Sequence, residues 1–298
     1  MSRIHLENDN YTILIDKTTG YQKTKELLAA KGGYLLQYHG ELTKKKGTIA
    51  YKDIDDIFDC LDTFLSFVNG RRTSALFITG IAESEVKWSD YTARFVDPAK
   101  YVMSWADLPF IHLNDIWKRF CELWKDKNDR DFLVFAVHWY VESNGNAVFA
   151  EGSTIMAQTA LELLYNWLII ENRKVLMGRD AESISAANKI RLLLSQMNVG
   201  YSVPEAFEAL QEFVSKNPEV EDGPDAVVQI RNVIVHSQQE KRKKLNAISN
   251  EAKFEALQLC ISYIELSLLY ILGFKEHYFD RCGKGSFPLD RDTQVPWK

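Results

Sequence analysis

The most apolar stretch of the chain, LQLCISYIELSLLYILGF at 257–274, decides what its second half can fold into. Phe254, Leu257, Ile261, Ile264, Leu268 and Ile271 recur three and four residues apart, the repeat of one helical face. A run of this length would also suit a membrane span. It carries Gln258 and Glu265, however, and a carboxylate in mid-span is costly in lipid. The better reading is a buried core helix that ends at Gly273 and needs other helices to pack on.

The preceding sequence supplies those helices. LNDIWKRFCELWKD (113–126) sets Leu113, Ile116, Phe120 and Leu123 on one stripe, and DRDFLVFAVHWYVES continues the helical pattern towards Asn144-Gly145. A helix over 153–174 is expected to be capped by Ser153 or Thr154, with Ala157, Leu161, Leu164 and Leu168 inward. SISAANKIRLLLSQM (183–197) is another. PEAFEALQEFVSK (204–216) is a shorter one that buries Phe207, Leu210 and Val214. The tail after Gly273 is irregular but contains Tyr278, Phe279, Phe287 and Trp297, so it is expected to dock on the body.

The first hundred residues have a different texture. NYTILIDK (10–17), GYLLQYHGEL (33–42), TSALFITGI (73–81) and a segment around Tyr91–Val96 have strand composition. One clear helix lies among them, with Ile54, Ile57, Phe58, Leu61, Leu65 and Val68 in phase, Asp53 as its cap and Gly70 as its stop. The fold class is therefore α+β: a β-containing N-terminal module over 1–108, then a helical domain over 109–298.

Composition narrows the function. Of the 298 residues, 46% are hydrophobic and 26% charged, as in a globular protein, and the net charge of −5 argues against nonspecific coating of nucleic acid. Any nucleic acid must be met by a local patch. The one dense basic run is Lys241-Arg242-Lys243-Lys244, which by default is solvated surface. Cys60, Cys121, Cys260 and Cys282 form no C-x-x-C pair, which fits a reducing, cytoplasmic compartment. The N-terminus lacks an apolar leader. The histidines show no metal-ligand spacing, and no phosphate-loop, nucleophile-elbow or dinucleotide motif is present, so neither a metal nor a cofactor is expected.

What remains is the segment RNVIVH. As a helix entered through Asp222-Gly223-Pro224, it turns Ile230, Val233 and Ile234 inward and Arg231, Asn232 and His236 outward. As a strand, Arg231 and His236 would point to opposite faces, because their offset is odd. The flanking helices favour the helix. On spacing alone, solvated surface, a bridge to neighbouring helices and a contact with a second subunit all stay open.

RNVIVH resembles the R-x4-6-H motif of HEPN domains, all-α bundles that carry this motif late in the fold. The run of helices over about 150–275 is similar, with Glu162 and Arg191 on the helices before the motif. The wider layout, with FLSFVNGRR in the N-terminal module and an aromatic tail ending in VPW, resembles ApeA-type HEPN proteins of bacterial anti-phage defence. The resemblance implies a homodimeric, metal-independent endoribonuclease that needs no cofactor and yields 2′,3′-cyclic phosphate products. RNA, tRNA included, would be its partner, and abortive infection its use. In that reading His236 is general base or acid, Arg231 holds the scissile phosphate, and Asn232 orients the histidine. Lys241, Arg242, Lys243 and Lys244 grip RNA backbone, Glu162 and Arg191 support the site, and the N-terminal module senses or regulates. The alternatives are a non-catalytic HEPN-like module binding a nucleotide, RNA or partner protein, and the toxin half of a toxin–antitoxin pair.

Overall fold

A computed structural model of the chain describes residues 3–109, 111–145, 150–235 and 247–298, and it divides into two compact units. One comprises 1–102 with 112–133, the other 103–111 with 134–298. The chain therefore passes between them three times, where the sequence suggested one crossing near residue 108. The α+β class holds: small antiparallel sheets come first and a mostly helical region follows.

In the first unit β1 (Ile4–Glu7), β2 (Tyr11–Lys17) and β3 (Tyr38–Lys44) form an antiparallel sheet in that order. Ile13 sits opposite both Leu6 and Leu42. The Asn8 carboxamide closes the first turn by accepting from the Asn10 and Tyr11 N–H groups at 2.9 and 2.8 Å. Between β2 and β3 runs a helix the sequence pattern does not show, α1 (Tyr21–Lys31). It buries Leu28 alone, so it has no apolar stripe to read.

Helix α2 (Ile54–Asn69) has the expected span and stops at Gly70, whose φ of 62° is left-handed, although Asp53 makes no side-chain cap. Strands β4 (Ile78–Ala82) and β5 (Glu85–Asp90) form a hairpin, and residues 91–98 are irregular, not the expected strand. The hairpin turns on Glu83 and Ser84 at φ 53° and 62°. That conformation is usually announced by Asn-Gly, and its absence hid the turn. Helix α3 (Asn114–Trp124) brings Trp117 and Phe120 onto Phe64, at ring separations of 5.1 and 5.4 Å, and packs against β1.

Within this unit Asp62 accepts from the Ala75 N–H at 2.8 Å and from Arg94 at 3.1 Å, yet burial pushes its carboxyl up to about 6. The folded state then holds a proton that the unfolded chain has released by about pH 4. Stability from this group is present below that pH and is lost as pH rises through about 6. Asp62→Asn is expected to remove about 1–3 kcal/mol of this fall between pH 4 and 6, measurable by urea denaturation across that range.

The second unit takes over α4 (Lys127–Gly145) from Val134 onwards. Then follow α5 (Ala150–Tyr165) with a π-helical continuation at Asn166–Asn172, α6 (Arg179–Ser183), α7 (Ala186–Ser195), α8 (Glu208–Lys216), α9 (Gly223–Val235) and α10 (Asn250–Ile271). Ser153 and Thr154 lie inside α5 and are buried, so they do not cap it, and the Thr154 hydroxyl instead donates to the Ala150 carbonyl at 2.7 Å.

Helix α10 packs against α5, α7, α8 and α9. It is long and apolar enough to cross a membrane, but 83% of its most apolar window is buried inside the structure, as in the core helix of a soluble protein. Leu257, Ile261, Ile264, Leu268 and Ile271 are buried as the seam requires, whereas Phe254 is exposed at 41%.

The tail docks through β6 (His277–Phe279) and β7 (Asp292–Gln294). Tyr278, Phe279 and Val295 are buried, and the Trp297 indole donates to the Phe274 carbonyl at 2.7 Å. Phe287, expected to dock, stays exposed. The tail also drives Arg281 into the core. Its Nε donates to Glu265 Oε2 at 2.8 Å, Nη2 to Glu265 Oε1 at 2.5 Å and Nη1 to Gln258 Oε1 at 2.8 Å. The Tyr140 hydroxyl and the Trp105 N–H also donate to Glu265 Oε1, at 2.6 and 3.2 Å. Glu265→Ala leaves a buried guanidinium unpaired and is expected to lower the unfolding free energy by about 3–5 kcal/mol. Replacing both charges, Glu265→Leu with Arg281→Met, is expected to cost less, and urea denaturation of the two variants checks the order.

Candidate functional site

Helix α9 carries Arg231 and Asn232, and its start is the most firmly held part of the candidate site. The Asp222 carboxylate accepts from the Asp225 N–H at 2.9 Å, capping the helix, and Pro224 fills the first turn where no N–H is missed. The same carboxylate receives both arms of Arg191 from α7, at 2.7 and 2.9 Å. Gly223 donates to the Tyr201 carbonyl at 2.7 Å, and any Cβ there would meet the Tyr263 hydroxyl at 2.8 Å. Glycine is thus what lets α9 approach α10 this closely. From α5, the Gln158 carboxamide donates to the Val227 carbonyl at 2.7 Å.

The helical reading of RNVIVH therefore holds as far as Val235. The inward stripe does not hold throughout. Ile230 is fully buried, but Val233 and Ile234 are only half-buried, because the helix leaves the core in its last turn. Val233 instead lines a groove of about 260 Å³ with Phe213 of α8 and Ala252 of α10.

At the exposed end of α9 Arg231 is half-buried. Its Nη1 donates to Asn232 Oδ1 at 3.2 Å, and its Nε is buried with no partner among the described residues. A cation in the last turn of a helix is favoured by the backbone dipole, and a desolvated N–H without an acceptor is costly. The group is thus charged, held in place by its neighbour, and short of one acceptor. His236 and the run Lys241, Arg242, Lys243 and Lys244 lie outside the described residues.

Glu162 and Arg191, expected to support Arg231, make their ion pairs elsewhere. Glu162 is exposed and pairs with Lys189 at 2.6 Å, while Arg191 is committed to Asp222. Asp222 is the residue that the site depends on and that sequence reading passed over. Its place before Gly-Pro signals a cap, but nothing local announces its partner on α7. The arginines of the Gly70-Arg71-Arg72 turn are also engaged, Arg72 with Asp97 at 3.1 Å and Arg71 with the Lys100 carbonyl at 3.2 Å. Among the described residues no group of three His, Cys, Asp or Glu side chains could hold a metal ion.

Together the fold and site define a two-unit α+β protein whose C-terminal unit is a helical bundle presenting an arginine near the end of a late helix. Residues 126–288 match the family model of the YopA C-terminal domain, and residues 1–102 match that of the YopA central domain. The chain belongs to the YopA family. It is similar to the SPbeta prophage-derived uncharacterized protein YopA of Bacillus subtilis (strain 168), with 26% identity over 303 residues. That match covers 99% of this chain and 66% of the relative, so the chain spans just under two thirds of the relative's length. No solved structure matches the chain.

Asp222→Ala removes both the cap and the partner of Arg191, and is expected to cost about 1–3 kcal/mol. Glu162→Ala, which breaks an exposed pair, is expected to cost less than about 1 kcal/mol. Thermal melts of the two variants check the contrast.

Proposed function

We propose that this protein is a metal-independent endoribonuclease of the HEPN type that works as a homodimer. The observation that supports this reading best is Arg231, a guanidinium held by Asn232 with one buried N–H still lacking an acceptor. A phosphate oxygen is the acceptor such a group suits, since guanidinium and phosphate match in charge and in paired hydrogen-bond geometry. His236, five residues on, supplies an imidazole that titrates near pH 6.5 when unperturbed and can take the proton of an RNA 2′-hydroxyl. The 2′-oxygen then attacks the phosphorus and the 5′-oxygen leaves. A 2′,3′-cyclic phosphate remains, and Arg231 stabilises the charge that builds on the phosphoryl oxygens.

A second copy across a two-fold axis would place one histidine as base and the other as acid. Lys241, Arg242, Lys243 and Lys244 follow His236 closely in sequence and give an acidic protein a local means of holding RNA backbone. The protein acts in the cytoplasm on RNA, tRNA among the candidate substrates. The prophage origin of the Bacillus subtilis relative is compatible with a part in conflict between phage and host, abortive infection included.

The test is cleavage of tRNA and total RNA by the purified chain in EDTA. Cyclic phosphate ends are expected. His236→Ala is expected to lower the rate by about 10²–10⁴-fold, and Arg231→Ala by about 10²–10³-fold, with the fold intact by circular dichroism. Cleavage that survives His236→Ala, or that stops in EDTA, overturns the mechanism. Retention of RNA without cleavage would favour a non-catalytic binding module.

A further inference from the structure

The first unit contains a cavity of about 480 Å³, and two of the chain's four cysteines, Cys60 of α2 and Cys121 of α3, line it together. Both are buried, at 6% and 9% exposure, and the Cys60 thiol lies within hydrogen-bonding reach of the Cys121 sulfur. The Asn8 carboxamide donates to Cys121 Sγ at 3.2 Å. Lys125, whose charge also acts on this sulfur, lines the cavity. Trp117 lines it too, and its buried indole N–H has no partner among the described residues. A sulfur that accepts from two donors beside a cation, and a spare N–H next to a void, are not what packing alone requires.

We propose that Cys60 and Cys121 are a redox-active dithiol that takes a small peroxide in this cavity and closes to a disulfide. Cys121 is the attacking sulfur. Its thiol is held below the ordinary cysteine range, first by the hydrogen bond from Cys60 and further by Asn8 and Lys125, against the opposing effect of burial. Cys60, pushed up by burial, stays protonated until it is needed. The Cys121 thiolate attacks one peroxide oxygen and the O–O bond breaks. A sulfenic acid forms on Cys121, and the departing hydroxide takes a proton to become water. The Cys60 sulfur then attacks the Cys121 sulfur. The S–O bond breaks, the Cys60 proton leaves with the hydroxyl as a second water, and the disulfide remains. Two thiols lose two electrons and one hydrogen peroxide gains them. The burial of both sulfurs selects a small oxidant over a bulky disulfide. Cys260 and Cys282 of the other unit are unsuited to this chemistry, since burial pushes both thiols up, that of Cys282 to about 12.

The experiment treats the reduced full-length chain with a small excess of hydrogen peroxide, unfolds and alkylates it, and maps the peptides without reduction. The expected result is a Cys60–Cys121 linked pair, with Cys260 and Cys282 alkylated as free thiols. In Cys60→Ser, which cannot close the bridge, dimedone is expected to trap a sulfenic acid on Cys121. In Cys121→Ser neither bridge nor sulfenic acid is expected at Cys60. Four free thiols in the wild-type chain, under peroxide that oxidises free glutathione in a parallel tube, would overturn the proposal. So would a bridge that joins any other pair. The wild-type map needs no variant, so a substitution that fails to fold leaves the test standing.

Discussion

The second unit depends on one buried ion pair. Glu265 sits in the middle of α10 at 1% exposure, and Arg281 reaches it from the tail at 3%. Bringing both charges out of water is costly, and their attraction repays it only when nearly every polar atom finds a partner. Here the carboxylate accepts from Arg281, Tyr140 and the Trp105 N–H, and the guanidinium also donates to Gln258 and to the Met103 carbonyl. One pair therefore fixes four stretches of chain: the 103–105 segment, α4, α10 and the tail. An apolar core could have been equally stable. It would not have dictated which turn of α10 each of the other three must meet.

Around that centre, α9 is placed by direct bonds to three helices and then released. Asp222, Gly223 and Val227 hold its first turns to α7, α10 and α5, and burial falls off after Ile230. Arg231 stands where that support ends, half in the protein and half out. A phosphate-binding arginine needs this compromise. It must be dry enough to bind strongly and open enough to be reached. The link from fold to proposed function is thus the level at which the helix leaves the core.

Much of this was legible in the residues. The amphipathic spacing of α2, α3, α7 and α10 was visible because each buries one stripe against neighbours, and the left-handed stop at Gly70 followed from glycine's freedom. Helix α1 was not legible, because a helix that buries only Leu28 leaves no periodic mark. The β4–β5 hairpin was missed for a related reason. Its turn adopts left-handed geometry with Glu83 and Ser84, which carry no turn signal. The cysteines were misjudged by spacing. Cys60 and Cys121 are far apart in sequence, and only the packing of α2 on α3 brings them to one cavity.

By itself the sequence determined the class of fold, the helical state of RNVIVH as far as Val235, and the presence of a charge in the central helix. These follow from periodicity and from propensities that act within a few residues. The tertiary structure alone decided the partners: Arg281 for Glu265, Asp222 for Arg191, Lys189 for Glu162 and Cys60 for Cys121. Each pairing joins residues tens of positions apart or separate secondary-structure elements. Side-chain chemistry makes such pairs attractive, but it does not say which of many equivalent acids, bases or thiols will meet. That choice is made when apolar faces pack and leave each buried polar group only the partner the geometry brings within reach.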